Sequence, residues 1–170
     1  MAVIAANEDL QTPPYAVRYE STDPISNIQT EGKTSYETYR MRIGETCYVD
    51  DDFIISRCPA MLTALPAIKT GNRADNEGTS EGFLSFDLLV PARVYVAYDP
   101  MVSHKPEWLR PFQDEEAPIE ILEEWRGERA LYLYSKEFEP GTVVLGGNKA
   151  YGFQAGYPVL NYIVIVQVLI

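Results

Sequence analysis

Short runs of alternating apolar and polar residues, several of them ended by a proline or a glycine, restrict the folds that this chain can adopt. Leu84, Phe86, Leu88 and Val90 fall on one face of such a run, and Pro91 ends it. An alternation with period two places every second side chain on one side, as in a strand with one buried face. Similar runs lie at residues 15–20, 38–43, 94–98, 131–134 and 142–145. The sequence therefore predicts a fold built from short strands.

Helical patterns are scarce by comparison. One short helix is predicted near Trp108, at residues 106–110, because Pro106 stands at its first position. Residues 115–129 contain helix-forming residues, but their proline, their glycine and an apolar alternation favour a strand with a wide connection. The last run, residues 162–168, is apolar on both faces, as expected of a central strand between two layers. These patterns predict an all-β, jelly-roll-like antiparallel β-sandwich.

The chain length suits one domain with a continuous core. Residues 1–14, which end in two prolines, are predicted to be a flexible lead-in, and residues 15–170 a single β-sandwich domain. Residues 94–98 begin three positions after Pro91, so the two runs on either side of it are predicted to form a hairpin or a corner between sheets. Twelve tyrosines, twelve prolines and eleven glycines agree with strands joined by turns.

The formal net charge of −11 argues against nucleic acid as a partner, because binding a phosphate backbone requires clustered basic residues. An anionic membrane surface is disfavoured for the same reason. No membrane insertion is expected either, since the longest apolar run, residues 162–170, is broken by Gln167 and is shorter than the roughly 20 residues of a spanning helix. Neutral glycans, cationic partners and divalent cations remain compatible with the charge.

Two cysteines and the first residues bear on the compartment. Residues 1–6 have neither a basic stretch nor a sustained apolar one, so we expect either a cytoplasmic protein or a processed or recombinant form of an exported one. Cys47 and Cys58 are eleven positions apart, and a disulfide between them is predicted if the protein is exported. Such a bridge would stabilise the fold by roughly 2–3 kcal/mol.

The sequence does not predict an enzyme. The single histidine, His104, lies near Ser103, but nothing in the sequence supplies the third group that a catalytic triad needs. Gly146-Gly147-Asn148 lacks the spacing of a phosphate-binding loop and is predicted to be a turn. The twenty-five acidic residues form pairs everywhere by chance, so no pair stands out as a general acid and base.

An acidic segment is the candidate metal site. Carboxylate and amide oxygens are the ligands that calcium prefers, although their spacing here does not match an EF-hand loop. A structural calcium ion is predicted at Asp50, Asp52, Asn72 and Asp75. The alternative is an acidic turn followed by a solvated loop.

Aromatic residues outside the main strand pattern are the candidate ligand platforms. Sugar rings stack on exposed aromatic faces, and polar neighbours fix their orientation. The predicted ligand-binding residues are Trp125, Arg126, Tyr151, Phe153 and Tyr157. Rings that form a protein interface look the same in sequence, because both uses exploit an amphipathic ring.

Several segments between about residues 45 and 168 follow the pattern of one known family, namely residues 48–53, 68–75, 83–86, 94–99, 106–112, 133–138, 140–148 and 162–166. Together they resemble a β-sandwich accessory domain of secreted bacterial polysaccharide-degrading enzymes. The resemblance implies a galactose-binding-like or jelly-roll architecture, an extracellular or periplasmic location, and a non-catalytic carbohydrate-binding role.

The chain also departs from that family pattern. It stands without a catalytic module, has an acid at Asp51 where a base is expected, and carries a long connection at residues 149–161. These departures leave a second interpretation open, in which the chain is a structural or interaction subunit of a surface assembly, filament or multi-protein complex. Its partner is then another protein chain, and a homo-oligomer is one form of such an assembly.

Overall fold

The computed structural model describes residues 23–101, 105–125, 127–149 and 159–169. Antiparallel strands dominate it, which confirms the predicted all-β sandwich. The strands are β1 (Ile25–Thr30), β2 (Glu37–Arg40), β3 (Ile54–Arg57), β4 (Pro66–Lys69), β5 (Leu84–Leu88), β6 (Ala92–Tyr98), β7 (Gln113–Glu123), β8 (Gly127–Phe138), β9 (Gly141–Leu145) and β10 (Ile163–Val168). Short 3₁₀ helices lie at Ala60–Leu62 and Glu107–Leu109. The second of these is the short helix predicted near Trp108.

Two sheets form the sandwich. The small sheet has the strand order β1-β5-β9, and the large sheet has the order β2-β4-β10-β6-β8-β7-β3. Strand β10 lies at the centre of the large sheet, between β4 and β6. Its residues from Ile163 to Val166 are all buried, as the apolar run on both faces predicted.

The large sheet has a core on each face. The first core lies between the sheets and joins Phe86 and Leu84 of the small sheet to Val94, Val96 and Val164 of the large one. The second contains side chains from the opposite face of the same central strands, such as Tyr95 and Ile165, packed with residues of β3, β7 and β8. This second core forms because the large sheet curls around it.

The segment after β2 holds the curled sheet together. Thr46 forms an antiparallel bridge with Ile54 of β3, and Tyr48 forms a parallel bridge with Thr70 just beyond β4. The same short segment therefore contacts strands from both ends of the sheet order. Buried Met41 and Cys47 of this segment belong to the second core.

Two local predictions are refined by the structure. Strand β5 lies in the small sheet and β6 in the large one, so the chain around Pro91 forms a corner between sheets and not a hairpin. Over residues 115–129, the predicted strand is confirmed as part of β7, whereas the predicted wide connection was wrong. Strands β7 and β8 form a long hairpin in which Glu123 pairs with Gly127. The positive φ of 78° at Gly127 allows this tight reversal.

The predicted lead-in at residues 1–14 and the strand-like run at residues 15–20 lie outside the described residues. The alternation over residues 38–43 holds only in part. Met41 is fully buried, whereas the side chain of Ile43 is 67% exposed. Strand β2 ends at Arg40, and a turn at Ile43 and Gly44 breaks the period.

Candidate functional site at the loop end

Most of the long connections meet at one end of the sandwich, which we call the loop end. The pairing registers place the last residues of β4, β6, β7 and β9 beside the first residues of β3, β5, β8 and β10. The connections at this end include residues 31–36, 49–53, 70–83, 99–101, 124–125, 146–149 and 159–162. Of the predicted ligand-binding and metal-binding residues, the five that the structure describes belong to these connections: Asp50, Asp52, Asn72, Asp75 and Trp125.

Asp99 ties three of these connections together. Its carboxylate is 1% exposed, and it accepts hydrogen bonds from Leu160 N at 2.7 Å and Met101 N at 2.8 Å. The Arg129 guanidinium of β8 also donates to Asp99 at 2.8 Å. A buried carboxylate requires several hydrogen-bond donors, because burying its charge without them costs several kcal/mol of folding free energy. Asp99 therefore fixes the turn end of the β7–β8 hairpin against the segment that leads into β10.

Asn161 fixes that segment from the other side. Its side-chain amide donates to Gly71 O at 2.8 Å, and its side-chain oxygen accepts from Tyr162 N at 3.0 Å. Its backbone N donates to Asn72 Oδ1 at 2.8 Å, and Tyr48 donates to its carbonyl at 2.6 Å. Every one of these groups is buried, so the segment before β10 is held by hydrogen bonds that replace those of a regular strand.

A third group of contacts surrounds the residues after β9. Tyr98 donates to the carbonyl of Asn148 at 2.8 Å, and Tyr162 donates to that of Gly146 at 2.8 Å. Trp108 Nε1 donates to the carbonyl of Gly147 at 3.0 Å. Burial raises the pKa of Tyr98 and Tyr162, so both phenols stay protonated and keep these donor roles. The turn predicted at residues 146–148 is thus anchored by three aromatic side chains.

The buried polar groups at the loop end are therefore mainly structural. They satisfy backbone groups of the connections, which keeps several irregular segments in one arrangement. Among the described residues, we find no nucleophile hydrogen-bonded to a base that a third group orients, the arrangement that nucleophilic catalysis requires. The loop end is therefore a fixed platform, and the exposed residues on it are available for contacts.

Among the described residues, Trp125 is the most exposed large apolar side chain at this platform. It lies at the tip of the β7–β8 hairpin, and its side chain is 87% exposed. Of the other predicted ligand-binding residues, Arg126, Tyr151, Phe153 and Tyr157 lie outside the described residues. Val159 and Leu160, which directly follow residues 151–158 in the sequence, are described, and both are buried at the loop end.

The hairpin carries further exposed apolar side chains that the sequence did not single out. Tyr132 is 46% exposed and Leu122 is 37% exposed. The period-two alternation and the pairing of Leu122 with Glu128 place both side chains on one face of the hairpin. Ser56 donates to Glu128 at 3.0 Å on that face. We call Leu122, Trp125, Glu128 and Tyr132 the hairpin surface.

The carboxylates among the four predicted calcium ligands have different surroundings in the structure. The Asp50 carboxylate accepts from Asn72 N at 2.6 Å and from Ala74 N at 3.1 Å, whereas Asp52 is exposed. Asp75 accepts instead from Lys33 N, Thr34 and Tyr36 across the connection after β1. Over the described ranges, no group of three or more histidine, cysteine, aspartate or glutamate residues is placed to hold a metal ion. Calcium binding stays a prediction, which melting curves with and without a chelator test.

Both cysteines are free thiols in the structure, which does not contain the predicted disulfide. Cys47 is fully buried, and its Sγ lies 3.6 Å from the carbonyl of Phe53 in the second core. Cys58 is half-buried. Burial raises the pKa of the Cys47 thiol, so its reactive thiolate is scarce at neutral pH.

Thiol labelling therefore has a defined expected outcome. In the native protein at neutral pH, Cys58 is expected to react well before Cys47, and both are expected to react after unfolding without a reductant. Mass spectrometry of the labelled protein measures the order. Absence of labelling in the unfolded, unreduced protein would instead establish the bridge between Cys47 and Cys58.

Neither the models of known protein families nor the curated proteins match this sequence. Two solved structures are similar to it. One is a beta-glucuronidase from glycoside hydrolase family 2, with a TM-score of 0.76 and 20% identity, over 86% of this chain and 15% of that chain. The other is a GH138 enzyme targeting pectin rhamnogalacturonan II, with a TM-score of 0.50 and 15% identity, over 81% of this chain and 16% of that chain.

These similarities concern the fold. The chain corresponds to about one sixth of the length of each enzyme. They support the predicted resemblance to a β-sandwich domain found in polysaccharide-degrading enzymes, at the level of architecture. No helix within the described residues is both long and apolar enough to cross a membrane.

Proposed function

We propose that this chain is a non-catalytic carbohydrate-binding module of an exported bacterial protein, and that it contacts its ligand through the hairpin surface. The observation that carries the proposal is the exposure of Trp125 at the tip of a hairpin whose turn end is fixed by the Asp99–Arg129 pair. A large ring left in water is costly unless a ligand covers it. The similarity of the fold to a small part of two glycoside hydrolases supports a module of such enzymes.

The dimensions of the hairpin suit an extended ligand. Tyr132 lies five positions after Gly127 in β8, which corresponds to roughly 16 Å along the strand. Trp125 and Tyr132 supply rings for stacking, and the carboxylate of Glu128 lies between them in sequence as a hydrogen-bond acceptor for hydroxyl groups. The acidic residues and the net charge of −11 favour a neutral polysaccharide over one that contains uronic acids.

Replacing Trp125 with alanine tests the proposal. A central aromatic contact contributes more than about 1.4 kcal/mol, so we expect Trp125→Ala to weaken binding by at least about tenfold. A panel of neutral, uronic-acid-containing and amino-containing polysaccharides is measured by affinity electrophoresis and calorimetry. Acrylamide quenching gives a second readout, because bound ligand is expected to shield Trp125 whereas Trp108 is already half-buried.

Leu89→Ala is the matched control. Leu89 is 52% exposed and lies at the opposite end of the sandwich, so its loss removes exposed apolar surface without touching the hairpin. Both variants are expected to melt close to the parent. Equal affinity of Trp125→Ala and parent for a bound polysaccharide would place the binding site elsewhere. Absence of binding to any polysaccharide would favour the alternative function, a structural or interaction subunit.

A further inference from the structure

A group of polar side chains lies at the end of the large sheet opposite the loop end. Gln167 of β10, Arg93 of β6 and Glu137 of β8 are directly opposite one another in the registers of these three strands. Two residues further along β6, Tyr95 is opposite Ser135 and belongs to the second core. Because side chains two positions apart point to the same face of a strand, all five lie on the face of the second core.

An irregularity in β7 adds Glu115 to this group. Residues 115–117 lie opposite the single residue Leu133, and Glu116 has a positive φ of 55°. A bulge at the rim of a sheet often redirects a side chain, and a residue other than glycine in this backbone region is strained. Here the Glu115 carboxylate accepts a hydrogen bond from the hydroxyl of Ser135. We call these six residues the far-end cluster: Arg93, Tyr95, Glu115, Ser135, Glu137 and Gln167.

Hydrogen bonds join the far-end cluster around one buried hydroxyl. Ser135 is 1% exposed, and besides donating to Glu115 it accepts a hydrogen bond from Arg93 at 3.1 Å. The Arg93 guanidinium, which is 26% exposed, also forms an ion pair with Glu137. A guanidinium with two partners is held in one orientation. One cation and two carboxylates are therefore fixed around this hydroxyl.

Tyr95 and Gln167 form the side of the cluster towards β10. The Tyr95 hydroxyl donates to the side-chain oxygen of Gln167 at 3.1 Å. Burial and the nearby Glu115 carboxylate raise the pKa of Tyr95, so its phenol stays protonated and keeps this donor role. The side-chain nitrogen of Gln167 is left to face outward as a donor.

The cluster keeps hydrogen-bonding capacity that its internal contacts do not use. Within the described part of the chain, the side-chain nitrogen of Gln167 and the Nε of Arg93 donate to no partner. Glu115 and Glu137 each use one carboxylate oxygen and leave the other free. Arg93, Glu115 and Gln167 are all half-buried. Half-buried donors and acceptors of this kind are satisfied by water or by a ligand.

The charges of the cluster select among ligands. Arg93 lies beside carboxylates on both sides, so a ligand of either charge meets a like charge within the site. A hydroxyl group meets no such penalty, because it can donate to a carboxylate and accept from an amide or guanidinium at the same time. The three strands that carry Gln167, Arg93 and Glu137 span roughly 10 Å, a distance that one or two sugar rings can bridge.

We propose that the far-end cluster binds the hydroxyl groups of a neutral saccharide, one or two sugar units long. The site lies at the end of β7 and β8 opposite their turn, so it is separate from the hairpin surface. This inference does not depend on carbohydrate binding at the hairpin surface, and either site can be lost without the other.

Titration with methyl glycosides of glucose, galactose and mannose, followed by heteronuclear NMR, tests the proposal. At least one glycoside is expected to shift the side-chain N–H signals of Arg93 and Gln167 together with the amides of residues 115–117. Methyl glucuronoside and glucosamine are the anionic and cationic probes, and both are expected to bind more weakly than the neutral glycoside.

Glu115→Ala is expected to raise the dissociation constant of that glycoside by at least about tenfold, because it removes a charged hydrogen-bond acceptor. Gln167→Ala is a second variant that leaves the contacts of Ser135 in place, and it is expected to weaken binding in the same direction. Glu37→Ala is the matched control, because it makes the same change in charge at an exposed position that pairs with Lys69 near the loop end. Thermal melts establish that each variant is folded.

Trp125→Ala separates this site from the hairpin surface, since it is expected to leave the far-end shifts unchanged. Several results would overturn the proposal: no far-end shift with any neutral glycoside, charged probes that bind as tightly as neutral ones, or shifts confined to the hairpin. Affinities of folded Glu115→Ala and Gln167→Ala equal to that of Glu37→Ala would overturn it as well.

Discussion

Replacing Asp99 with alanine is expected to lower the free energy of unfolding by at least about 3 kcal/mol. The substitution leaves the Arg129 guanidinium, which is only 25% exposed, without its carboxylate. It also leaves the backbone N–H groups of Leu160 and Met101 without the acceptor that they use in the native state. Unpaired buried groups of this kind account for the large cost of breaking one partner of a buried pair.

Urea denaturation of parent and variant measures this effect, and the melting temperature is expected to fall by roughly 6–12 °C. Asp52→Ala is the control, because it is the same chemical change at an exposed position. A chelator is present throughout, so that a bound cation does not contribute. A loss below about 1 kcal/mol for Asp99→Ala would show that the Asp99–Arg129 pair does not hold the hairpin to the segment before β10.

The regular strands could be predicted because their burial follows a local rule. Leu84, Phe86 and Leu88 alternate with half-buried residues in β5, and β10 is apolar on both faces and lies at the centre of the large sheet. The hairpin of β7 and β8 was missed for an equally local reason. Pro118 and Gly127 were interpreted as signs of a wide connection, whereas Pro118 lies within β7 at an irregularity in its register. Prolines are tolerated at such irregularities.

The loop-end network could not be predicted from the sequence, because its partners are far apart along the chain. Asp99 contacts Arg129 thirty positions away and Leu160 sixty-one positions away. The only local signal in the sequence is a polar residue beside an apolar strand. Asp99 directly follows β6, Asn161 lies just before β10, and both are buried in the structure. The exposed ring of Trp125 was predicted to face a ligand because it lies outside the strand pattern, and its exposure agrees with that use without testing it.

Hydrogen bonds connect the buried network of the loop end to the hairpin that carries the hairpin surface. Asp99 links the turn end of the hairpin to Leu160, and Asn161 links the same segment to Gly71. Residues on rigid supports bind with less loss of conformational entropy than residues on free loops. The buried hydrogen bonds of the loop end would therefore hold the hairpin surface in place before a ligand binds.

Gly147→Ala is expected to destabilise the domain by about 2 kcal/mol or more, because two backbone segments meet at this glycine. A Cβ atom at Gly147 would lie 2.4 Å from the carbonyl oxygen of Gly78. The obstacle is backbone, so neither segment can relieve the clash by changing a rotamer. Gly147 N also donates to Ser80 O at 2.7 Å, and its carbonyl accepts from Trp108. Any shift that accommodates the new atom weakens both bonds.

Gly82→Ala provides the matched comparison for this glycine. The nearest neighbour of a Cβ at Gly82 is a methyl carbon of Val144 at 3.9 Å, which is an ordinary contact. Since alanine also restricts the unfolded chain, Gly82→Ala is expected to be neutral or slightly stabilising. Thermal melts of the two variants give the difference directly, and near-ultraviolet circular dichroism of the Trp108 environment is expected to change only in Gly147→Ala. Equal melting temperatures would mean that the turn after β9 adapts freely, and that Gly147 does not fix the close approach of residues 78–80.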